Sequence, residues 1–138
     1  MLDEGEYRRW ISSSKRALDS ARGDLERGDF NWACFKAQQA GEFAVKALLR
    51  GLGLPSYGHS VYKLLVGSGE DLGLNGEIIQ SSKALDKLYV PTRYPNAWVE
   101  GTPEDFFTRV DAEEAVRHAE HIISWVEEKW MSLKRGRG

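Results

Sequence analysis

The amino-acid sequence predicts an all-α fold, an up-and-down bundle of about five helices. Apolar residues recur at three- and four-residue steps along most of the chain, which is the spacing of one helix face. Glycines, Asn75 and Pro91 interrupt this pattern where helices are expected to begin or end. No segment alternates between apolar and polar residues as a half-buried strand does. The 138 residues fall in the size range of one domain, so we expect a single helical domain over 1–138.

The first two helices are predicted to form an antiparallel hairpin. The first covers 3–27, and Gly28 ends it. Asp29 is placed to cap the second helix, which stops at Gly51 and Gly53. Because only a short turn separates the two helices, they should pack side by side. Their apolar positions are Tyr7, Trp10, Ile11, Ala17, Leu18, Ala21 and Leu25 in the first helix, and Ala33, Ala37, Ala40, Phe43, Ala44, Ala47 and Leu48 in the second.

Two further helices are predicted in the middle of the chain. After a turn over 54–59, a short helix covers about 60–66, and a glycine-rich connection follows over 67–76. Asn75 then caps a helix that continues through Leu88 and Tyr89 and ends near Pro91. Its apolar positions also include Ile78, Ile79 and Leu85.

The last helix is predicted to open with Asp111 and Glu114, which are spaced as in a capping box. It runs through Ala115, Val116, Ala119, Ile122, Ile123, Val126 and Trp130. The basic tail over 134–138 is interpreted as a solvated chain end rather than a nucleic-acid arm.

Composition excludes several classes of protein. With 41% hydrophobic and 29% charged residues, the chain is outside the disordered class, and its net charge of −2 argues against a general nucleic-acid coat. No stretch approaches the roughly 20 apolar residues that cross a bilayer, and the N-terminal region does not resemble a signal peptide. The single cysteine, Cys34, forms no internal disulfide and is interpreted as an inert packing residue. We therefore expect a cytoplasmic protein with no membrane segment.

The connection over 92–110 is the strongest candidate for a functional loop, because it is longer than the usual link between bundle helices. Pro91 and Pro95 restrict the backbone around Arg93. An arginine among aromatic residues can pair with a phosphate while a ring stacks on a base. The alternative is that the aromatics cover the bundle end and Arg93 pairs with a carboxylate. The aromatic neighbours are Tyr89, Tyr94 and Trp98.

The second helix is predicted to have two apolar faces. One is rich in alanine, and the other carries Trp32, Phe35 and Leu49. A helix that is apolar on both sides is central or lies at an interface, so we expect a homodimer. A polar network is predicted on this second side, which we interpret as structural in preference to a catalytic acid–base pair. Its members are Gln39, Glu42 and Lys46.

Histidine-based sites are less well supported. Glu114 and His121 are predicted on the solvated side of the last helix, and no second element brings further ligands to them and His118, so we expect no metal site. His59 begins the short third helix, where it could act as a general base or as a structural cap. No cofactor motif is recognised.

Three segments together resemble the HEPN family of small helical nucleotide-binding domains. They are the second-helix run from Phe35 to Leu49, the sequence Gly58-His59-Ser60, and Leu88-Tyr89 followed by Arg93-Tyr94-Pro95. The resemblance covers nearly the whole chain. It implies a bundle of about five helices, a homodimer, and in prokaryotes a minimal nucleotidyltransferase as partner, often in toxin–antitoxin or defence settings.

The resemblance also bears on activity. Ribonuclease members of the family carry an arginine and a histidine with four to six residues between them, whereas Arg117 and His121 here have three. The first hypothesis is therefore a binding module for nucleotide or RNA, or for a nucleotidyltransferase, with His59, Tyr89, Arg93 and Tyr94 as its face. The second is a metal-independent ribonuclease toxin in which His59 is the general base and Arg93 stabilises developing charge. The third is a structural dimer with no ligand.

Overall fold

The computed structural model describes residues 1–68 and 70–137, and over these residues the only regular secondary structure is helical. The five α-helices are α1 (Glu4–Arg27), α2 (Phe30–Gly51), α3 (Val61–Ser68), α4 (Gly76–Asp86) and α5 (Arg109–Arg137). Three short 3-10 helices cover Glu70–Leu72, Pro95–Ala97 and Pro103–Asp105. The predicted fold class and helix number are confirmed.

The α1–α2 hairpin follows from local sequence signals. Gly28 ends α1 with φ of 87°, a left-handed conformation that glycine adopts without strain, and its N–H bonds back to the last turn of α1. Asp29 occupies the N-cap position of α2 as predicted, but its side chain makes no capping hydrogen bond. Further along the hairpin, the Ser14 hydroxyl donates to the Ala40 carbonyl at 2.6 Å, which ties the two helices together.

The fourth helix is shorter than predicted. It begins at the predicted cap, where the Asn75 side chain accepts from the Ile78 N–H, but it ends at Asp86 rather than near Pro91. Leu88 and Tyr89 continue the apolar spacing, yet both lie in the turns that follow the helix. The prediction was wrong because side chains further along bond to carbonyls here, as described below, and hold the backbone in a turn.

The last helix also differs at both ends. It begins at Arg109, and the reciprocal capping bonds join Thr108 to Asp111, so the predicted pairing of Asp111 with Glu114 is wrong. At the other end the basic tail is helical through Arg137, while Gly138 lies outside the described residues. Gly67 and Ser68 form the end of α3 rather than a break, and Gly69 is likewise outside the described residues.

Helix α2 lies at the centre of the bundle and contacts each of the other four α-helices. Alanines on α2 are fully buried, and glycines let neighbouring side chains approach the helix axis. A Cβ atom added at Gly41 would lie 2.5 Å from Leu85 Cδ1, and one added at Gly51 would lie 2.5 Å from Trp130 Cζ3. Leu49 is also fully buried, so the prediction that it belongs to a second, outward apolar face is wrong.

In the part of the chain that the structure describes, no helix combines the length and the apolar character needed to cross a lipid bilayer.

Candidate functional site

The chain segment over 87–98 is a loop whose conformation is held by hydrogen bonds among its own residues. The Thr92 hydroxyl donates to the Leu88 carbonyl at 2.7 Å, and the Trp98 indole N–H donates to the Pro91 carbonyl at 2.8 Å. The Asn31 amide, from the first turn of α2, donates to the Thr92 carbonyl at 3.0 Å. Since Thr92 and Asn31 are both buried, the bond between them attaches the loop to the first turn of α2.

Arg93 is held by aromatic rings and a backbone carbonyl. Its guanidinium carbon lies 4.2 Å from the ring centroid of Phe35, 4.7 Å from that of Tyr89 and 4.9 Å from that of Tyr94. Nε and Nη2 donate to the Tyr89 carbonyl at 3.0 and 2.7 Å. Among the described residues no carboxylate pairs with Arg93, so the predicted alternative of an Arg93–carboxylate pair is wrong.

This arrangement leaves donors for a ligand. A guanidinium has five N–H bonds, and the Tyr89 carbonyl takes only one from Nε and one from Nη2. The remaining N–H groups keep the planar geometry that binds phosphate or carboxylate oxygens in pairs. Contacts with three rings restrict the side chain before any ligand arrives, which lowers the entropy lost on binding.

Tyr89 joins Arg93 to His59. The imidazole of His59 stacks on the Tyr89 ring, with centroids 4.6 Å apart and planes 17° from parallel. Phe35 contacts the same tyrosine, with centroids 6.2 Å apart. The structure therefore brings together His59, Tyr89 and Arg93, while Tyr94 contributes a ring that is 47% exposed at the rim.

Asp86 positions the histidine end of this cluster. Its carboxylate accepts from the Ser60 hydroxyl at 2.6 Å, from the Val61 N–H at 2.7 Å and from the Tyr62 N–H at 3.2 Å. It thus caps the N-terminus of α3 from the end of α4. A small open cavity of about 130 Å³ lies here, lined by His59, Ser60, Asp86 and Tyr89.

Beneath His59, a polar cluster surrounds Glu42, whose side chain is only 2% exposed. Lys46 Nζ donates to Glu42 Oε2 at 3.1 Å, and Gln38 Nε2 donates to Oε1 at 3.2 Å. His59 Nδ1 lies 3.3 Å from both carboxylate oxygens. The network was predicted to contain Gln39, Glu42 and Lys46, and its Gln39 member is wrong. Gln39 donates to Gln38 Oε1 at 2.7 Å and does not bond to Glu42.

The sequence analysis did not identify two residues of this arrangement, Gln38 and Asp86. Gln38 is completely buried and also donates to the His59 carbonyl at 3.0 Å, which fixes the backbone at the histidine. Asp86 contacts residues that lie 24 to 26 positions earlier in the chain. No local sequence signal identifies such a long-range partner. For Gln38, helical spacing alone offered a clue, since it lies four residues before Glu42 on the same face.

Trp98 does not belong to the Arg93 cluster. Its ring stacks on Phe106, with centroids 4.2 Å apart and planes 3° from parallel, and meets Phe107 edge-on. These aromatics cover the bundle end, as the alternative interpretation of the loop proposed. Trp32, by contrast, is 45% exposed and meets the Phe35 ring edge-on, so it extends the aromatic surface beside Arg93.

The remaining candidates lie elsewhere. His118 Nδ1 lies 2.9 Å from the Ser81 hydroxyl in the α4–α5 interface, and burial lowers the pKa of His118, with His121 and Arg117 adding to the effect. His121 and Glu114 are exposed. The described residues contain no cluster of three side chains suited to a metal ion. Cys34 is buried, and that burial raises the pKa of its thiol to about 12.

Comparison with known proteins agrees with this architecture. The family model described as the HEPN domain matches residues 7–129. A crystal structure of TT1696 from Thermus thermophilus is similar with a TM-score of 0.86 and 42% identity, over 89% of this chain and 97% of that one. None of the curated proteins compared with the chain matches it significantly.

Two further crystal structures are similar. ST0689, an archaeal HEPN homologue, has a TM-score of 0.77 and 36% identity, over 89% of this chain and 96% of that one. An HEPN domain protein from Thermotoga maritima has a TM-score of 0.71 and 34% identity, over 87% of this chain and 95% of that one. With a family model that spans most of its length and structural relatives above 30% identity, the chain belongs to the HEPN family.

Proposed function

We propose that this HEPN domain binds a nucleotide or RNA through the face formed by His59, Tyr89, Arg93 and Tyr94. The observation that carries the proposal is the state of Arg93: its guanidinium is fixed by three aromatic rings and a carbonyl, and no carboxylate among the described residues neutralises it. A fixed, unneutralised guanidinium beside exposed aromatic rings matches a ligand that has both phosphate groups and bases.

The exposed rings supply the second half of this recognition. Tyr94 and Trp32 are 47% and 45% exposed and lie on either side of the Arg93–Phe35 contact. Bases stack on such rings with little dependence on sequence, at about 1–3 kcal/mol for each stacked base. Phosphate pairing at Arg93 together with stacking at the rim would select nucleotides over simple anions.

Substitution of Arg93 tests the proposal. Arg93→Ala and Arg93→Lys should weaken binding of short RNA or nucleotide by about 5- to 150-fold, equivalent to roughly 1–3 kcal/mol for a charge-assisted contact. Titration calorimetry against a nucleotide panel and short RNA measures this effect. Arg109→Ala is the matched control, because Arg109 also lies over a ring, 5.1 Å from the centroid of Phe30, but outside the cluster.

The alternative outcome for Arg93 is equally specific. If Arg93 only holds the loop in place, Arg93→Ala should lower the melting temperature of the protein. The protein that remains folded should then bind nucleotide or RNA as well as wild type does. That result would contradict the binding proposal. Because no carboxylate among the described residues is left unpaired by Arg93→Ala, we expect only about 1–2 kcal/mol of lost stability, from the ring contacts and the carbonyl bonds.

We also propose that the protein forms a homodimer and docks on a minimal nucleotidyltransferase, in a cytoplasmic toxin–antitoxin or defence system. Family membership supports these partners, and the exposed Trp32 ring, which meets the half-buried Phe35, supports an interface on that side of α2. Light scattering gives the oligomeric state directly, and a monomer at tens of micromolar would remove the argument for a dimer. A pull-down with any minimal nucleotidyltransferase found to be encoded beside this chain tests the second partner.

A second candidate function is metal-independent cleavage of RNA. The contact of His59 with the buried Glu42 favours it, because a histidine oriented by a carboxylate is a common general base, and Tyr89 contacts both His59 and the cationic Arg93. RNA cleavage that persists in chelator and is lost in His59→Ala would support this activity. If neither binding nor cleavage is found, the purely structural dimer remains as the third hypothesis.

A further inference from the structure

Glu42 occupies an unusual position for a carboxylate. It lies in the middle of α2, almost completely shielded from water, with Lys46 on one side and His59 above it. The side chain of His59 is 57% exposed, so the buried Glu42 carboxylate contacts the Nδ1 side of a ring that is otherwise largely exposed. Nothing in the packing of the hydrophobic core requires a charge at this position, and burying one is costly unless it is fully paired.

The chemistry of the contact determines where the imidazole proton lies. An ionised carboxylate only accepts hydrogen bonds, and Lys46 and Gln38 both donate to the oxygens of Glu42. His59 Nδ1, 3.3 Å from both oxygens, must therefore carry a hydrogen. In the neutral ring the other nitrogen, Nε2, is then an acceptor with its lone pair directed away from Glu42.

The rest of the ring is fixed as well. Tyr89 covers one face of the imidazole, and Gln38 holds the His59 carbonyl at 3.0 Å. Among the described residues, Nε2 has no hydrogen-bond partner. The acceptor is therefore oriented by three neighbours and remains available beside the tyrosine that also contacts Arg93.

We propose that Glu42 is a positioning residue, which holds His59 in the Nδ1–H tautomer and so presents Nε2 as a fixed hydrogen-bond acceptor. This inference rests on the proposed function. The ligand group that meets Nε2 must be a donor, such as a ribose hydroxyl, while Arg93 takes an anionic group of the same ligand. The site thereby recognises a donor at His59 and an anion at Arg93, the two residues that contact the Tyr89 ring.

Imidazole nitrogen shifts test the tautomer without any ligand. Long-range ¹H–¹⁵N spectra at about pH 9, where histidine side chains are neutral, distinguish the two tautomers, and His59→Gln assigns the signal. In the wild-type protein we expect the Nδ1–H form to exceed the other by at least about tenfold. A wild-type ring that is mainly Nε2–H would overturn the proposal, whether or not any variant folds.

Two variants separate positioning from simple structural support. Glu42→Gln should lose the tautomer preference, because an amide can donate to Nδ1 as well as accept from it. Lys46→Gln is the matched control: it removes the ion pair but leaves the carboxylate against His59, so the Nδ1–H form should persist. Equal loss of stability in both variants with the same tautomer in both would assign Glu42 a structural role only.

Binding completes the test. Glu42→Gln should weaken binding of a short RNA by about 5- to 20-fold, with less effect on inorganic phosphate, which meets Arg93 alone. Equal weakening of both probes would contradict a role through His59. If wild-type protein binds neither probe, the proposed function fails, and the tautomer measured in the free protein still decides whether Glu42 positions His59.

Discussion

Substitution of Asp86 by asparagine tests how the site is joined to the fold. In the native structure this carboxylate accepts three hydrogen bonds from the start of α3, given by Ser60, Val61 and Tyr62. Asparagine has nearly the same size but only one acceptor oxygen, and its NH₂ group would face a donor. The N–H of Val61 or that of Tyr62 would therefore lose its partner.

The magnitude follows from these bonds. Hydrogen bonds to a charged group contribute about 1.5–3 kcal/mol each, and the amide oxygen keeps part of that energy, so we expect a loss of about 2–4 kcal/mol. For a chain of this length that corresponds to a fall of roughly 6–15 °C in melting temperature. Helix α3 has eight residues and cannot persist alone, so the loss should appear first as faster amide exchange at Val61 and Tyr62.

Thermal unfolding and hydrogen exchange measure the two effects. Asp19→Asn is the control, since the Asp19 side chain is 78% exposed and its pairing with Arg22 contributes little. It should change stability by less than about 0.5 kcal/mol. If Asp86→Asn melts like this control and leaves amide exchange in α3 unchanged, the capping role assigned to Asp86 is wrong.

Three further predictions concern packing and titration. Gly41→Ala should lower the free energy of unfolding by about 1–3 kcal/mol in urea titrations, because the new methyl would meet Leu85, whereas Gly67→Ala meets open space and should not destabilise. Cys34→Ser should bind nucleotide or RNA as wild type does. Iodoacetamide should modify Cys34 only after unfolding, because a thiol with a pKa of about 12 stays protonated. Modification of the folded protein with loss of nucleotide or RNA binding would contradict this prediction. The lowered pKa of His118 means that the unfolded state binds its proton more readily, so its contribution to stability is present above about pH 6.5 and is lost as the pH falls through the folded-state pKa. The unfolding free energy of His118→Gln should therefore decline less than that of wild type between pH 7 and 5, and parallel declines would refute the assignment.

The parts of the fold that could be predicted are those governed by local sequence. Gly28 and Asn75 mark helix ends through their own backbone and side-chain chemistry, and the apolar spacing located all five helices. The end of α4 could not be predicted in this way, because Thr92 and Arg93 bond back to carbonyls at Leu88 and Tyr89 and convert an apolar continuation into a turn. The start of α5 was misplaced because two capping patterns overlap there, the predicted one from Asp111 to Glu114 and the observed one from Thr108 to Asp111.

The candidate site shows the same division. The aromatic and basic residues around Arg93 were recognisable from their types and from the resemblance, but their partners were not. Leu49 was assigned to an outward face but lies in the core. For Trp98 two positions were left open, and the ring follows the alternative in which the aromatics cover the bundle end. The contacts of Asp86 with the start of α3, and of Gln38 with the His59 carbonyl, depend on the packing of segments distant in the chain, which residue spacing within one helix does not encode.

The self-bonded loop over 87–98 has a consequence for how such domains diversify. Its shape depends on bonds among its own residues, and in the described structure only Asn31 is hydrogen-bonded to it by a side chain from outside. A segment of this kind can change its chemical character while the five-helix frame keeps its packing. Under the proposed function, exchange of residues 87–98 between HEPN domains, together with the residue at position 31, should therefore carry the ligand preference of one bundle to another.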